Sequence, residues 1–187
     1  MVKTSRKKRK QTKKSTLSRT TTRGFRLPPD ATKFQADRAI LVSQEIFIKT
    51  GAPSCFELMM KRLEGPTGRD PMILDAKPMS DARRWAGTAT HLTLKLAGRE
   101  LESPAIVTTY KRDSTLSWVL TEHPKVKEYW RLEPKPEGTM VYLTLGLEVP
   151  GSIINRLLQK IIRGRRLARE VREILIQLKK VAEATGS

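Results

Sequence analysis

The chain has 187 residues, a formal net charge of +18 and a single cysteine, Cys55. This length accommodates one domain with a sizeable core and an additional tail. No run of about 18 apolar residues is present and the N-terminus lacks the apolar segment of a signal peptide, so the composition predicts neither a membrane span nor secretion. The lone cysteine excludes an internal disulfide and favours a reducing compartment.

The positive charge is concentrated at the N-terminus. Residues 1–27 contain 11 Lys and Arg and no acid, which leaves 26 basic against 19 acidic residues elsewhere. Because almost no apolar residues lie in this segment, we expect residues 1–33 to form a disordered polybasic tail before one domain over residues 34–187. The candidate polyanion-binding side chains of the tail are Arg6, Lys7, Lys8, Arg9, Lys10, Lys13 and Lys14.

The tail is compatible with more than one partner. Clustered basic side chains attract nucleic acid and anionic membrane surfaces alike, through counterion release and surface potential. Absence of acids with abundant Ser and Thr is also typical of mitochondrial targeting, and a basic run is typical of nuclear localisation. The sequence therefore predicts a cytoplasmic protein, free or peripheral on membranes, and leaves a mitochondrial or nuclear location open.

The first elements after the tail are a strand and a short helix. Alternating apolar residues predict the strand over 38–49. Ser54 and Glu57 have the spacing of a capping box, and apolar residues then continue at helical spacing to Leu63. A turn at Gly65-Pro66 ends this helix. The inward residues of the strand are predicted to be Ile40, Val42, Ile46 and Ile48.

From residue 72 onward, alternation predicts six further strands separated by turn residues. They span 72–78, 85–97, 99–110, 114–121, 126–133 and 139–149. After Pro150-Gly151, apolar residues recur at helical spacing and predict one long helix over 152–184. Because strands and helices are segregated, we predict an α+β fold in which a curved, seven-stranded antiparallel sheet wraps around the long C-terminal helix.

This order of elements is similar to that of the START-like, helix-grip superfamily (SRPBCC), which includes polyketide cyclase/dehydrase and coenzyme Q-binding proteins. Local segments over residues 38–184 also resemble it: 46–48 with Ala52-Pro53 and Phe56, 115–118, 130–134 leading to 138–141, and 178–183. The resemblance implies a cavity between the sheet and the C-terminal helix. Its implied ligand is a hydrophobic small molecule (a lipid, a quinone or a polyketide-like compound), bound by a carrier, sensor or chaperone.

Candidate ligand-binding residues lie on the inward register of the sheet and on the facing side of the last helix. They are Trp118, Trp130, Leu143, Leu145, Leu157 and Ile161. The same residues would serve equally well to fill the core. A buried indole N–H needs an acceptor, so two inward tryptophans predict a polar group inside. Gly164 lies on the same helix line, where glycine costs about 1 kcal/mol relative to alanine and leaves space for a ligand or a bend.

Catalytic constellations are nearly absent from the sequence. Two histidines and one cysteine supply no metal-binding cluster, and there is no Gly-rich phosphate loop or nucleophile elbow. Cys55 and His91 would make a nucleophile pair, but a free cysteine is more often a small buried hydrophobe. We therefore expect binding rather than catalysis, with no cofactor and no metal. A cyclase or dehydrase working in the same cavity, and nucleic-acid binding through the tail, are the alternatives.

Overall fold

Seven antiparallel strands form one continuous sheet in the computed structural model of the chain. The structure describes residues 39–65, 70–79, 86–96, 98–122, 124–148 and 165–185. The strands are β1 (Ala39–Ile48), β2 (Ile73–Pro78), β3 (Ala89–Leu96), β4 (Arg99–Lys111), β5 (Thr115–Leu120), β6 (Lys125–Lys135) and β7 (Gly138–Glu148). The described helices are α1 (Ala52–Glu64) and α2 (Arg165–Thr185). The predicted α+β fold class and seven-stranded sheet are thus confirmed.

The strand order explains how the sheet can surround a helix. Strands β2 to β7 pair successively, and β1 pairs with β7 along its whole length, so the order is β1-β7-β6-β5-β4-β3-β2. Strands β1 and β2 are therefore the two edges, and α1 connects one edge to the other. An antiparallel sheet with one buried face needs helices on that face to exclude water.

One core joins the inward face of the sheet to both helices. Alternate residues of each strand point to this face, as shown by the buried Leu116, Trp118 and Leu120 of β5. Helix α2 contributes an apolar stripe to the same core: Leu167, Val171, Ile174, Leu175, Leu178 and Ala182. The last helix therefore packs against the inward face of the sheet, as predicted. The first part of the predicted helix, residues 152–164, lies outside the described residues.

The C-terminal end of α2 is fixed to the corner between β1 and α1. The Thr50 hydroxyl donates a hydrogen bond of 3.1 Å to the carbonyl of Ala182. The backbone N–H of Lys49 donates one of 2.9 Å to the Glu183 carboxylate. Because both bonds join segments more than 130 residues apart, they set the position of α2 relative to α1.

Helix α1 begins three residues earlier than the predicted capping box requires. Its N-cap is Gly51, with no side-chain capping bond, and Pro53 lies in the first turn. Proline is favoured there because its ring presets a helical φ and its missing N–H would have no intrahelical acceptor. Ser54 is thus already inside the helix, and the prediction that it caps the helix is wrong.

Gly138, after the tight turn between β6 and β7, is required by a close backbone contact. Its φ is +156°, and a Cβ added there would lie 2.1 Å from the carbonyl oxygen of Ile48. The replacement Gly138→Ala should lower the free energy of unfolding by about 2 kcal/mol or more, measured by urea denaturation. Gly87→Ala is the matched control, since Gly87 also has a positive φ but faces open space. Equal losses in the two variants would contradict a steric cause.

Candidate ligand-binding site

A cavity of about 390 Å³ opens between α1, α2 and the segment that precedes β2. Most of its wall is apolar, and its few polar groups come from one end of α1, from Asp70 and from α2. A volume of this size, with mostly apolar walls and few polar groups, is typical of sites for small organic molecules. The residues that line it are Leu58, Lys61, Arg62, Asp70, Pro71, Ile174, Gln177, Leu178 and Val181.

Arg62 is the buried charge in the cavity wall. It lies in the last turn of α1, on the helix face that also buries Met59 and Leu63, and its exposed fraction is 6%. Its Nη1 donates a hydrogen bond of 2.6 Å to Glu128, and its Nε donates to Asp70. Burial opposes its charge, but the two carboxylates raise the pKa of Arg62 above its ordinary value. The guanidinium therefore stays charged.

Glu128 lies behind Arg62 and is fully buried in the core. It occupies an inward position of β6 and lies opposite Trp118 of β5. Its Oε1 accepts hydrogen bonds from Arg62, from Trp118 Nε1 at 3.2 Å and from Trp130 Nε1. A buried carboxylate is tolerated only when it is paired and hydrogen-bonded in this way. The predicted polar partner of the two tryptophans is therefore Glu128.

Asp70 connects the charge cluster to the start of β2. Its Oδ1 accepts the backbone N–H groups of Met72 and Ile73 at 2.8 and 2.7 Å, and its Oδ2 accepts Arg62 Nε. Burial alone would raise the pKa of Asp70, but the charge and hydrogen bond of Arg62, with the two backbone bonds, hold it below its usual range. The ionised carboxylate is thus the form that the fold requires.

This arrangement predicts a specific loss of stability in acid. The pKa of Asp70 is lower in the folded than in the unfolded state. Its contribution to the free energy of unfolding is therefore fully present above about pH 4 and is lost as the pH falls through the lowered pKa. The urea midpoint of the wild type should therefore fall more steeply below about pH 4 than that of Asp70→Asn. Parallel pH profiles for the two proteins would show that Asp70 contributes nothing.

The predicted ligand-binding residues fall into two groups. Trp118, Trp130, Leu143 and Leu145 are each at most 1% exposed and belong to the core behind Arg62, not to the lining of this cavity. Trp130 contacts the site directly, because the Arg62 guanidinium stands 5.1 Å from its ring centroid. Their role in ligand binding stays a prediction. Leu157, Ile161, Gly164 and the seven basic residues of the tail lie outside the described residues.

The structure does not bring Cys55 and His91 together. Cys55 is fully buried on α1, and burial raises the pKa of its thiol, which disfavours the reactive thiolate. His91 lies on β3 between the buried Thr90 and Leu92, so the alternation of the strand directs it to the outer face. Within the described ranges, no group of three or more His, Cys, Asp or Glu is placed to hold a metal ion.

Sequence reasoning missed the three charged residues Arg62, Asp70 and Glu128. A signal was present for two of them: Glu128 occupies an inward position between Val126 and Trp130, and Arg62 lies seven residues after Cys55 on the apolar face of α1. A charge on a buried register needs a partner of opposite sign. Asp70 carried no such signal, since it lies in a loop.

Comparisons with known proteins place this architecture among solved structures. No family profile matches the chain, and no curated protein matches it. The protein TTHA0849 from Thermus thermophilus superposes with a TM-score of 0.64 at 22% identity, over 79% of this chain and 100% of that protein. A START superfamily protein from Mycobacterium smegmatis gives 0.55 at 14% identity, over 78% and 98%.

A third similar structure is larger than this chain. The di-domain ARO/CYC StfQ from the steffimycin biosynthetic pathway gives a TM-score of 0.65 at 11% identity, over 80% of this chain and 52% of StfQ. This chain therefore corresponds to about half of the di-domain protein. At these identities the likeness concerns the fold, and the START-like resemblance seen in the order of elements is confirmed at that level.

Proposed function

Because the chain has a START-like helix-grip fold, we propose that it binds a hydrophobic small molecule as a carrier, sensor or chaperone. The observation that carries this proposal is the cavity between α1 and α2, with apolar walls and one buried charged end. The ligand class that we propose is a lipid, a quinone or a polyketide-like compound.

A cyclase or dehydrase activity in the same cavity is the second candidate, and the presence of Arg62 and Asp70 in its wall favours it. Acid–base catalysis needs a group with a free lone pair or proton within reach of the substrate. Asp70 already accepts three hydrogen bonds and its pKa lies below the usual range, which makes it a weak base, and Glu128 lies behind Arg62. These contacts favour a role in holding a ligand over a role in proton transfer. We therefore prefer binding to catalysis as the proposed function.

Tryptophan fluorescence and native mass spectrometry test the proposal together. A Trp85→Phe variant leaves Trp118 and Trp130 as the only two tryptophans of the chain. A bound apolar molecule should change their emission, because Trp130 stacks against Arg62 at the cavity wall. The native mass spectrum should show the same molecule bound with a stoichiometry of one. Failure of lipids, quinones and aromatic polyketide analogues alike to produce either signal would refute the proposal.

The location of the protein is a separate proposal that depends on the tail. Among the described helices, none is long and apolar enough to cross a membrane. The polybasic tail lies within residues 1–38, which are outside the described residues. We assign to it the recruitment of the domain to nucleic acid or to an anionic membrane surface.

Deleting residues 1–27 should abolish binding to polyanions and leave unfolding and ligand binding unchanged. The full chain should bind with a steep dependence on salt, because each neutralised phosphate releases counterions. Fluorescence anisotropy with labelled DNA or RNA and cosedimentation with anionic vesicles would distinguish the two partners. Undiminished binding by the truncated protein would assign the site instead to the exposed basic residues of α2, which include Arg166, Arg169 and Arg172.

A further inference from the structure

The charged end of the cavity holds more negative than positive charge. The side chains of Arg62, Asp70 and Glu128 are 7%, 4% and 0% exposed, respectively. One guanidinium thus faces two carboxylates, which leaves the cluster with a formal charge of −1. In a buried site, water and salt screen this charge poorly, so it acts on whatever occupies the cavity.

Arg62 nevertheless keeps the capacity to donate hydrogen bonds. A guanidinium carries five N–H groups, and contacts with the described residues use three of them, on Nε, Nη1 and Nη2. The contact from Nη2 to Glu128 is long, at 3.5 Å. One N–H on each of Nη1 and Nη2 can therefore be offered to an acceptor atom of a ligand in the cavity that Arg62 lines.

We propose that the cavity selects uncharged ligands whose polar end is a hydrogen-bond acceptor, such as a ketone, quinone or phenol oxygen, and discriminates against carboxylates. A neutral oxygen can accept from Arg62 without adding charge. A carboxylate would bring a third negative charge beside Asp70 and Glu128, with one buried cation to share among them. This inference rests on the proposed function, and it narrows the class of ligand for that site.

Among the described residues that line the cavity, Lys61 is the only cation besides Arg62, and it could attract a carboxylate. Its side chain is exposed, in contrast to the neighbouring Arg62. A charge in contact with solvent is screened and contributes little to binding. A carboxylate held by Lys61 would have its polar end at the cavity mouth, so its affinity would depend on Lys61 and not on the buried cluster.

A matched pair of ligands tests the inference with the full chain. Laurate and undecyl methyl ketone share the same alkyl chain and carbonyl. They differ only in the second group on the carbonyl carbon, which is O⁻ in laurate and CH₃ in the ketone. Displacement of the uncharged fluorophore phenylnaphthylamine at neutral pH would measure both affinities. The ketone should bind at least about tenfold more tightly, because like charges in a desolvated site repel. In Asp70→Asn, which removes one negative charge, this ratio should fall.

The outcomes separate the two proposals. Equal affinities, or tighter binding of laurate, would overturn this inference and leave the proposed function standing. If laurate bound to the wild type as tightly as the ketone but no longer bound to Lys61→Met, the carboxylate would lie at the cavity mouth. This result would also overturn the inference. Failure of both ligands and of the fluorophore to bind, together with failure of the quinones and aromatic polyketide analogues, would overturn the proposed function and this inference with it. The wild-type ratio decides the question even if Asp70→Asn does not fold.

Discussion

Replacing Arg62 with methionine should lower the free energy of unfolding by about 3–5 kcal/mol, the range typical of breaking a buried ion pair. Methionine retains most of the apolar volume of arginine, so the loss would come from charge and hydrogen bonding rather than from a cavity. Among the described residues, the fully buried Glu128 would then keep only the two indole N–H groups as side-chain donors. Asp70 would lose its only side-chain donor among the described residues. Urea denaturation at neutral pH measures the effect.

Lys61→Met is the matched control for this experiment. Lys61 and Arg62 are adjacent on α1 and both line the cavity, but Lys61 is exposed. Exposed substitutions usually change stability by less than about 0.5 kcal/mol. If the two variants lost similar stability, the buried cluster would not be the cause. A double replacement of Arg62 and Glu128 by apolar residues should recover part of the loss, since it removes the unpaired buried carboxylate of Glu128 and leaves only that of Asp70 without Arg62.

The replacement Val181→Trp should reduce ligand binding by at least about tenfold, because the indole would occupy the space that a ligand needs. Val181 lies on the cavity wall on α2, beside the corner held by Ala182 and Glu183. The same space should limit the cost in stability to the range of ordinary overpacking, roughly 1–3 kcal/mol. Titration with the ligand identified by native mass spectrometry, followed by fluorescence or calorimetry, measures the affinity.

Ile176→Trp is the control for the cavity-filling variant. Ile176 lies on the opposite face of α2, is 41% exposed and does not line the cavity. It adds the same indole to the same helix, so any general effect of tryptophan on α2 would appear in both variants. Unchanged affinity in Val181→Trp would mean that the ligand binds elsewhere, for example between α2 and the residues Trp118, Trp130, Leu143 and Leu145 of the sheet.

The proposed ligand site includes the charge cluster that also stabilises the fold. Arg62 belongs to α1, Glu128 to β6 and Asp70 to the segment before β2, so the cluster holds together three elements that shape the cavity. A ligand that accepts a hydrogen bond from Arg62 would add to these contacts only in the folded state. Saturating ligand should therefore raise the apparent stability, by an amount set by its concentration relative to its dissociation constant.

Much of the fold was predictable from the spacing of apolar residues. They recur at every second position in a half-buried strand and at every third or fourth position in an amphipathic helix. The predicted strand over 139–149 corresponds to β7 at Gly138–Glu148, and that over 114–121 to β5 at Thr115–Leu120. Every second residue is apolar from Val141 to Leu147 and from Leu116 to Leu120, since one face of the sheet is buried. The start of α1 was less predictable, because a glycine N-cap with Pro53 in the first turn competes with the capping-box spacing of Ser54 and Glu57.

The sequence by itself determined the order of the elements and the inward register of the apolar residues, because burial of one face gives apolar residues a regular spacing along a strand or helix. It also determined that two inward tryptophans need an acceptor. Only the tertiary structure decided that this acceptor is Glu128, that its counter-ion is Arg62, 66 residues away, and that Asp70 completes the cluster. It likewise decided that a cavity lies between α1 and α2. Contacts between distant segments produce no periodic pattern in the sequence. They form only when the sheet has brought those segments together, so only the tertiary structure identifies them.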